Sequence, residues 1–328
     1  MRSRDLSKAL AVAVIIGAVV LASTLVFRDA DPPPSSKPAP APSPSPADEL
    51  PAPARAPIQL PSPEPPGVID ETAEVSVDVD GFLAWAAVDL TTGVRVASDN
   101  AAQTNSTESM IKAWIVADYL RSIAADGEQP SERQLEDASR AIRDSHNGTT
   151  ERMYVAGGRD AVVARMIDVC ELTDTYTPPG DEGWWSRTEM SARDAVRLGQ
   201  CILDGRAAGD EWTDWLLEEM RQVRGSTHPR DQRPSENFEG GRWGIIDGLP
   251  AETSADEVSI KNGWTRIGRT NSWHLNCLAM TDEWVMAVLM RYPADYPLDY
   301  GAERCAAVAR QLLKDPPPEP GRLATEAL

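Results

Sequence analysis

The sequence predicts an α/β fold of the α+β type: a five-stranded antiparallel sheet assembled from both chain ends, packed against an all-helical lobe. Three observations predict it. Strand-like apolar runs fall at the start and near the end of the globular region, the apolar period between them is helical, and the late strands follow one another directly. A doubly wound parallel sheet would instead interleave strands with helices.

Gly81 to Leu90 is apolar and rich in strand formers, Thr91-Thr92-Gly93 makes a turn, and Val94 to Ala97 returns, which reads as an opening hairpin. Ser109 to Ala125 is helical by period, with Ile111, Trp114, Ile115, Ala117, Tyr119 and Leu120 on one broad apolar surface. Ser131 with Gln134 forms a capping-box pattern for a helix running towards Asp144. Helical stretches follow at Thr150 to Ala156 and Asp160 to Val169, and Ser191 with Asp194 starts another that ends near Gly205. Between them, Glu171 to Thr188 has no helical period, contains Pro178-Pro179-Gly180, and reads as a structured loop. Glu211 to Val223 is a short amphipathic helix, followed by a polar loop to about Glu252. Three strands are expected near Val258–Trp264, Ser272–Met280 and Glu283–Arg291, and a last helix at Gly301 to Leu313.

Composition divides the 328 residues. Residues 1–30 hold Arg2, Arg4 and Lys8 followed by the uncharged apolar run Ala9 to Phe27, long enough for a single-pass membrane anchor with a cytoplasmic N-terminus. A signal peptide cut after Ala22 is the alternative, which would leave the remainder secreted. Residues 31–67 are a Pro/Ala/Ser-rich spacer, extended at ~3.1 Å per residue where polyproline-like. Residues 68–314 form the globular domain, and 315–328 read as a disordered tail. The formal net charge of −19 excludes nucleic acid as a natural partner, because such a field repels phosphate.

All four cysteines follow the spacer, in the part expected to be exported. Sequence proximity favours Cys170–Cys201 and Cys277–Cys305 among three possible connectivities. No C-x-x-C pair exists and the histidines are scattered, so no metal or cofactor is expected.

Between Gly67 and Leu313 there are only two lysines, Lys112 and Lys261, although arginine is scattered throughout. An ammonium can give up its proton in a suitable site, whereas a guanidinium cannot. Lys112 follows Ser109 by three residues at a helix start, so its amine falls beside the hydroxyl. Desolvation and the positive helix end both favour the neutral amine that a serine nucleophile needs. Ser145-His146-Asn147 ends another helix, where a serine can pass a proton and an asparagine can bind an amide; capping of the helix is the plain alternative. Lys261-Asn262-Gly263-Trp264 follows on a strand, where a cation can attract a carboxylate and Gly263 allows close backbone approach.

In this order the three elements resemble the S-x-x-K, S-D-N and K-T-G motifs of the class A β-lactamases and penicillin-binding proteins, over most of Gly81 to Leu313. The resemblance implies Ser109 as acylated nucleophile, Lys112 as its base or base partner, Ser145 as proton shuttle, and Asn147, Lys261, Asn262, Gly263 and Trp264 as substrate contacts. Backbone N–H groups of Ser109 and Trp264 would form the oxyanion hole. His146 stands where the motif has Asp, and Asn262 where it has Ser or Thr. The resemblance offers Glu171 in the place of the loop glutamate that releases the acyl group in class A enzymes, with Thr175 in the place of the accompanying asparagine; Cys170-Glu171-Leu172-Thr173 equally reads as a helix end leading into a turn.

Two functions follow as expectations. One is a membrane-anchored, extracytoplasmic and monomeric serine hydrolase acting on a β-lactam or peptidoglycan-derived amide. The other is a catalytically weak or inactive cell-wall binding or sensor module of the same fold. Trp184, Trp185 and Trp243 are expected to pack the loop and lobe interface, and His274 to be a structural histidine.

Overall fold

In the computed structural model, which describes residues 67–314, the chain opens with strand β1 (Phe82–Asp89) and returns as β2 (Arg95–Ala97). The expected membrane segment, the spacer through residue 66 and the tail from residue 315 lie outside the described residues. Among the described residues no helix is long and apolar enough to cross a membrane.

A short strand β3 (Thr104–Ser106) leads through the 3₁₀ turn Glu108–Ile111 into helix α1 (Lys112–Ala125). Helices α2 (Glu132–Arg143), α3 (Asn147–Ala156) and α4 (Asp160–Val169) follow. The long loop then ends in β4 (Glu189–Ser191) and α5 (Ala192–Leu203), and α6 (Thr213–Arg221) completes the helical lobe. The two-residue strands β5 (Gln232–Arg233) and β6 (Phe238–Glu239) precede β7 (Ser259–Ile260), β8 (Gly263–Ile267), β9 (Ser272–Met280) and β10 (Trp284–Pro293). Helix α7 (Leu298–Leu312) closes the domain.

The main sheet runs β2-β1-β10-β9, with β7 and β8 both on the outer side of β9. Ile260 faces Ala279 and Gly263 faces Asn276, so β7 and β8 keep one register along β9. They are one strand interrupted at Lys261-Asn262, and the sheet is five positions wide and antiparallel throughout, as the pattern at the chain ends predicts. Strands β9 and β10 are almost wholly buried because helices cover both faces. On one face α5 packs so closely that a Cβ on Gly199 would lie 2.4 Å from Val285. On the other, Gly301 of α7 would meet Leu275 at 2.6 Å.

The helix starts follow their caps. Ser131 and Gln134 close the capping box of α2, and the Ser191 side chain accepts from Asp194 N–H. Helix α3 begins three residues before the expected Thr150, because His146 caps it by accepting from Thr149 N–H at 3.0 Å. Both expected disulfides are present. Cys170–Cys201 ties the end of α4 to α5, and Cys277–Cys305 ties β9 to α7. Each closes a loop of roughly 30 residues, a constraint worth about 3.6 kcal/mol through the unfolded chain.

The loop between α4 and β4 is built around one buried carboxylate. Asp194 accepts from Thr173 N–H, Asp174 N–H at 2.6 Å and the Thr175 hydroxyl at 2.8 Å. Further along, Gly183 N–H donates to Asp160 at 2.8 Å, and Thr107 N–H to the Thr188 carbonyl at 2.8 Å. These bonds carry Trp184 and Trp185 to the lobe boundary.

Candidate active site

The 3₁₀ turn Glu108–Ile111 presents Ser109, and its geometry eclipses residues three apart, which puts Ser109 and Lys112 on one side. The turn is held from behind by a buried amide network. Asn105 Nδ2 donates to Asn276 Oδ1 at 2.8 Å, and Asn276 Nδ2 donates to the carbonyls of Ser106 (2.8 Å) and Thr107 (3.2 Å). Each of these donors is buried, so the network fixes the turn to β9 at a cost only a fully satisfied set can offset. Glu108 sits at φ 48°, in the left-handed region, and that conformation stores roughly 1–2 kcal/mol just before the serine.

Ser109 Oγ makes no hydrogen bond to any described residue, and the side chain lines an open cleft of about 290 Å³. Glu108, Asn147, Glu151, Trp184, Trp185, Glu239 and Trp264 share its walls. Lys112, three residues further on, is fully buried. Its Nζ donates to Asn147 Oδ1 at 2.7 Å, to the Ser145 carbonyl, and lies 3.2 Å from Ser145 Oγ. Lys261 Nζ approaches the same hydroxyl at 3.2 Å and donates to the Asn262 carbonyl at 3.1 Å. Ser145 Oγ therefore stands between two lysine nitrogens, at a residue whose φ of 54° is also left-handed.

Burial holds both amines below the usual lysine range. Lys112 is pushed well down by desolvation and by neighbouring Lys261, against the pull of Glu239 and Glu108. Desolvation brings Lys261 to about 7, with Glu239 opposing. A neutral Lys112 has two N–H donors and one lone pair. The two shorter contacts use the donors, and the lone pair is then free for a hydroxyl proton.

Strand β8 supplies the opposite wall. Lys261 N–H donates to the Leu278 carbonyl at 3.0 Å, and N–H directions alternate along an antiparallel strand. With unbroken register, Trp264 N–H points away from β9, towards the free edge that packs on the Ser109 turn. A Cβ on Gly263 would lie 2.4 Å from Thr107 O and 2.8 Å from Ser109 N, so only glycine allows this approach. The edge N–H of Trp264 and that of Ser109 are the paired donors such a site can offer a carbonyl oxygen.

The structure lines one cleft with Ser109, Asn147 and Trp264, places Lys112, Ser145 and Lys261 in a buried hydrogen-bonded group behind it, and seats Gly263 against the Ser109 turn. Two expected residues do not join them. Glu171 is 84% exposed in its side chain, lies 3.8 Å from Arg206, and lines a separate hollow with Arg95 and Arg197. It terminates α4 at φ 55°, and the disulfide at Cys170 together with Asp194 directs the following loop away from it. Asn262 is buried, and its Nδ2 donates to the carbonyls of Gly241 (3.0 Å) and Trp243 (2.7 Å). Strand alternation turns it to the face opposite Lys261 and Gly263, so it braces a loop and leaves no amide for a substrate. Lys261 itself is walled off from the cleft, and its ammonium is not open to a carboxylate.

The tryptophans divide. Trp243 is buried, with its ring 5.0 Å from that of Trp264, whose Nε1 donates to Gln232 at 3.1 Å. Trp264 is therefore a braced cleft wall. Trp184, expected to pack, is instead 61% exposed at the cleft mouth. Trp185 is half-buried, with Lys112 Nζ 5.3 Å from its ring, and its Nε1 donates to Glu151 at 3.1 Å.

Sequence reasoning missed the three carboxylates of the cleft. Glu151 is readable in hindsight, being one helical turn after Asn147 on α3. Glu108 carried only its place before Ser109, and Glu239 had no signal. Burial pushes the Glu108 carboxyl up to about 7, against the Ser106 hydroxyl and Arg187 and with help from Glu189 and Glu239. Ser106 Oγ donates to Glu108 at 2.7 Å and lies 2.6 Å from His274 Nδ1, which gives that histidine a polar partner. Burial and Arg291 hold His274 down at about 4, so it is neutral at neutral pH. Among the described residues no group of three or more His, Cys, Asp or Glu is placed to hold a metal ion.

No family model matches the chain. Two curated relatives, both named "Putative lipoprotein LppW", from Mycobacterium tuberculosis and Mycobacterium bovis, are 28% identical over 236 residues, 70% of this chain and 69% of theirs. Solved structures of the same fold include PBP-A (TM-score 0.53, 18% identity, 72% of this chain and 90% of that chain). A class A β-lactamase from Mycobacterium abscessus matches at TM-score 0.51 and 16% identity, over 71% of this chain and 93% of that one. An ancestral class A β-lactamase matches at 0.52 and 17%, over 71% and 93%. The fold is that of the class A β-lactamases and PBP-A.

Proposed function

We propose that this chain is an extracytoplasmic serine hydrolase or acyltransferase that forms an acyl-Ser109 ester from a β-lactam or related cell-wall amide. The observation that carries the reading is a hydrogen-bond-free serine hydroxyl open to a cleft, one 3₁₀ turn before a buried lysine with a depressed pKa. Ser109 Oγ adds to the substrate carbonyl while neutral Lys112 takes its proton, and the oxyanion is met by the N–H groups of Ser109 and Trp264. The amide C–N bond then breaks, and its nitrogen receives the proton through Ser145 Oγ, which already touches both lysines. Release needs water to add to the ester, after which the C–Oγ bond breaks and Oγ regains a proton. Glu171 is too far into a different hollow to activate that water, so the activating carboxylate comes from those lining the cleft.

The relatives named as lipoproteins support a membrane-associated, extracytoplasmic placement. All four cysteines of this chain are paired in disulfides, so attachment is assigned to the apolar run Ala9 to Phe27.

Incubation with a chromogenic cephalosporin and with an uncharged phenyl ester, followed by intact mass, tests the reading. Turnover or an acyl adduct that disappears in Ser109→Ala supports it; an adduct retained in that variant, or none with any substrate, defeats it. A second reading, a binding module without turnover, is favoured by the closed-off Lys261 and Asn262. A stable stoichiometric complex that is non-covalent, with no acyl adduct and equal affinity in Ser109→Ala, supports that alternative.

A further inference from the structure

The cleft around Ser109 has a polarity that the serine chemistry alone does not specify. Its charged lining consists of Glu108, Glu151 and Glu239, with no lysine or arginine among the lining side chains. Lys112 and Lys261 lie behind the wall, fully buried. The cations of the neighbouring hollow, Arg187, Arg266 and Arg269, stand beyond the shared wall of Glu108, Trp184, Ser186 and Thr265, so Glu108 faces both sides while Glu151 and Glu239 line the Ser109 cleft alone.

The carboxylates are only partly spoken for. Glu151 accepts from Trp185 Nε1 at 3.1 Å and has an exposed ion pair with Arg159 at 3.3 Å, an interaction that water screens heavily. Glu239 takes one long contact from Asn147 Nδ2 at 3.5 Å. Glu108 is held by Ser106 on one oxygen. Ser109 supplies an independent pointer to a ligand: its side chain is only 7% exposed, and its hydroxyl has no partner among the described residues.

Aromatic faces complete the cleft. Trp184 already receives a cation from the protein's own side, Arg187 at 5.3 Å from its ring centroid, and the Lys112 amine lies 5.3 Å from that of Trp185. Carboxylates edged by indole rings make a cation site, since both the full charge and the ring quadrupole attract positive groups.

We propose that the acyl group delivered to Ser109 carries a positive charge, an ammonium or guanidinium, held by Glu239 and Glu151 against the Trp185 and Trp184 rings. This rests on the acyl-serine reading and narrows it to amine-bearing acyl substrates. An acyl group carrying only negative charge is repelled from the same place.

Benzylpenicillin and ampicillin test it directly, because they share the β-lactam and its carboxylate and differ by an ammonium on the acyl side chain. The second-order rate of acylation is expected to be about tenfold higher for ampicillin, the size of one charge contact across a partly wet cleft. That ratio falls to near unity in the Glu151→Gln/Glu239→Gln double variant and shrinks in high salt. A ratio at or below one in the unmodified protein, or a ratio the double variant leaves unchanged, overturns the proposal. The acyl-serine reading fails separately, if neither penicillin nor an uncharged phenyl ester labels Ser109. The charge preference is then read from equilibrium binding of benzyltrimethylammonium to Ser109→Ala. Binding weakened at least severalfold by the two glutamines upholds it, and equal binding refutes it.

Discussion

Replacing Glu108 by Gln should stabilise the protein at alkaline pH while leaving it nearly unchanged in acid. The carboxyl is buried beside Ser109, and its pKa stands at about 7 against an ordinary 4.5. A raised pKa means the folded state holds its proton more tightly than the unfolded chain. Between those two values the native protein binds more protons, so this group's contribution to stability falls as pH rises. Below about pH 4.5 both states are neutral and the group costs nothing; above about 7 the full penalty applies. The gap corresponds to about 3 kcal/mol, a large share of a domain's net stability. Glutamine keeps an oxygen to accept from Ser106 Oγ and cannot ionise. Urea unfolding of both proteins at about pH 5 and pH 8.5, with equal m-values, measures the difference. The reasoning requires the variant's advantage to grow by a few kcal/mol across that interval. Parallel pH profiles, or an advantage that shrinks as pH rises, would refute it.

Lys261 should show the opposite slope at higher pH. Its folded value of about 7 lies below the ordinary 10.5, so the native state binds fewer protons and stability rises with pH across that window. Lys261→Met is therefore expected to gain a few kcal/mol near neutral pH and to lose that advantage towards about pH 10, in the same unfolding assay. Asn276→Ala should cost about 1–2 kcal/mol, because it removes the buried donor to the Ser106 and Thr107 carbonyls, while Asn105 Nδ2 keeps the Met290 carbonyl at 3.2 Å; it should also slow acylation more than it weakens binding, read as a kcat loss. Gly263→Ala should abolish acylation in a protein that still folds, since the new Cβ would have to displace Thr107 O and Ser109 N, with circular dichroism as the folding check. Asp194→Ala should release the loop at residues 171–188, raising hydrogen exchange at Thr173 and Asp174 N–H well above the rest of the lobe.

Most of the scaffold was legible because it rests on local patterns. The helical period of α1, the capping pairs Ser131/Gln134 and Ser191/Asp194, and the apolar runs of β1, β9 and β10 each declare themselves within a dozen residues. The three-residue pair β3–β4 and two-residue pair β5–β6 are too short to carry any period and went unread. The site shows the same division. Ser109 and Lys112 are separated by one turn of helix, so their spacing alone places them on one side of it. Glu108, Glu151 and Glu239 meet from a 3₁₀ turn, a helix and a short strand, and only tertiary packing brings them together. Glu171 failed for a related reason: the direction a loop takes after a helix end is set by distant anchors, here Asp194 and the Cys170–Cys201 bridge. Asn262 failed because a motif position does not say which strand face it occupies.

The central claim is that Ser109 is acylated with the help of a deprotonated Lys112, and site-resolved mass of the acylated protein tests it most directly. After brief exposure to ampicillin or an uncharged phenyl ester, the adduct should map to the peptide containing Ser109. It should be lost in Lys112→Arg, whose guanidinium cannot give up a proton. An adduct on another residue, or undiminished labelling of Ser109 in Lys112→Arg, would contradict the account.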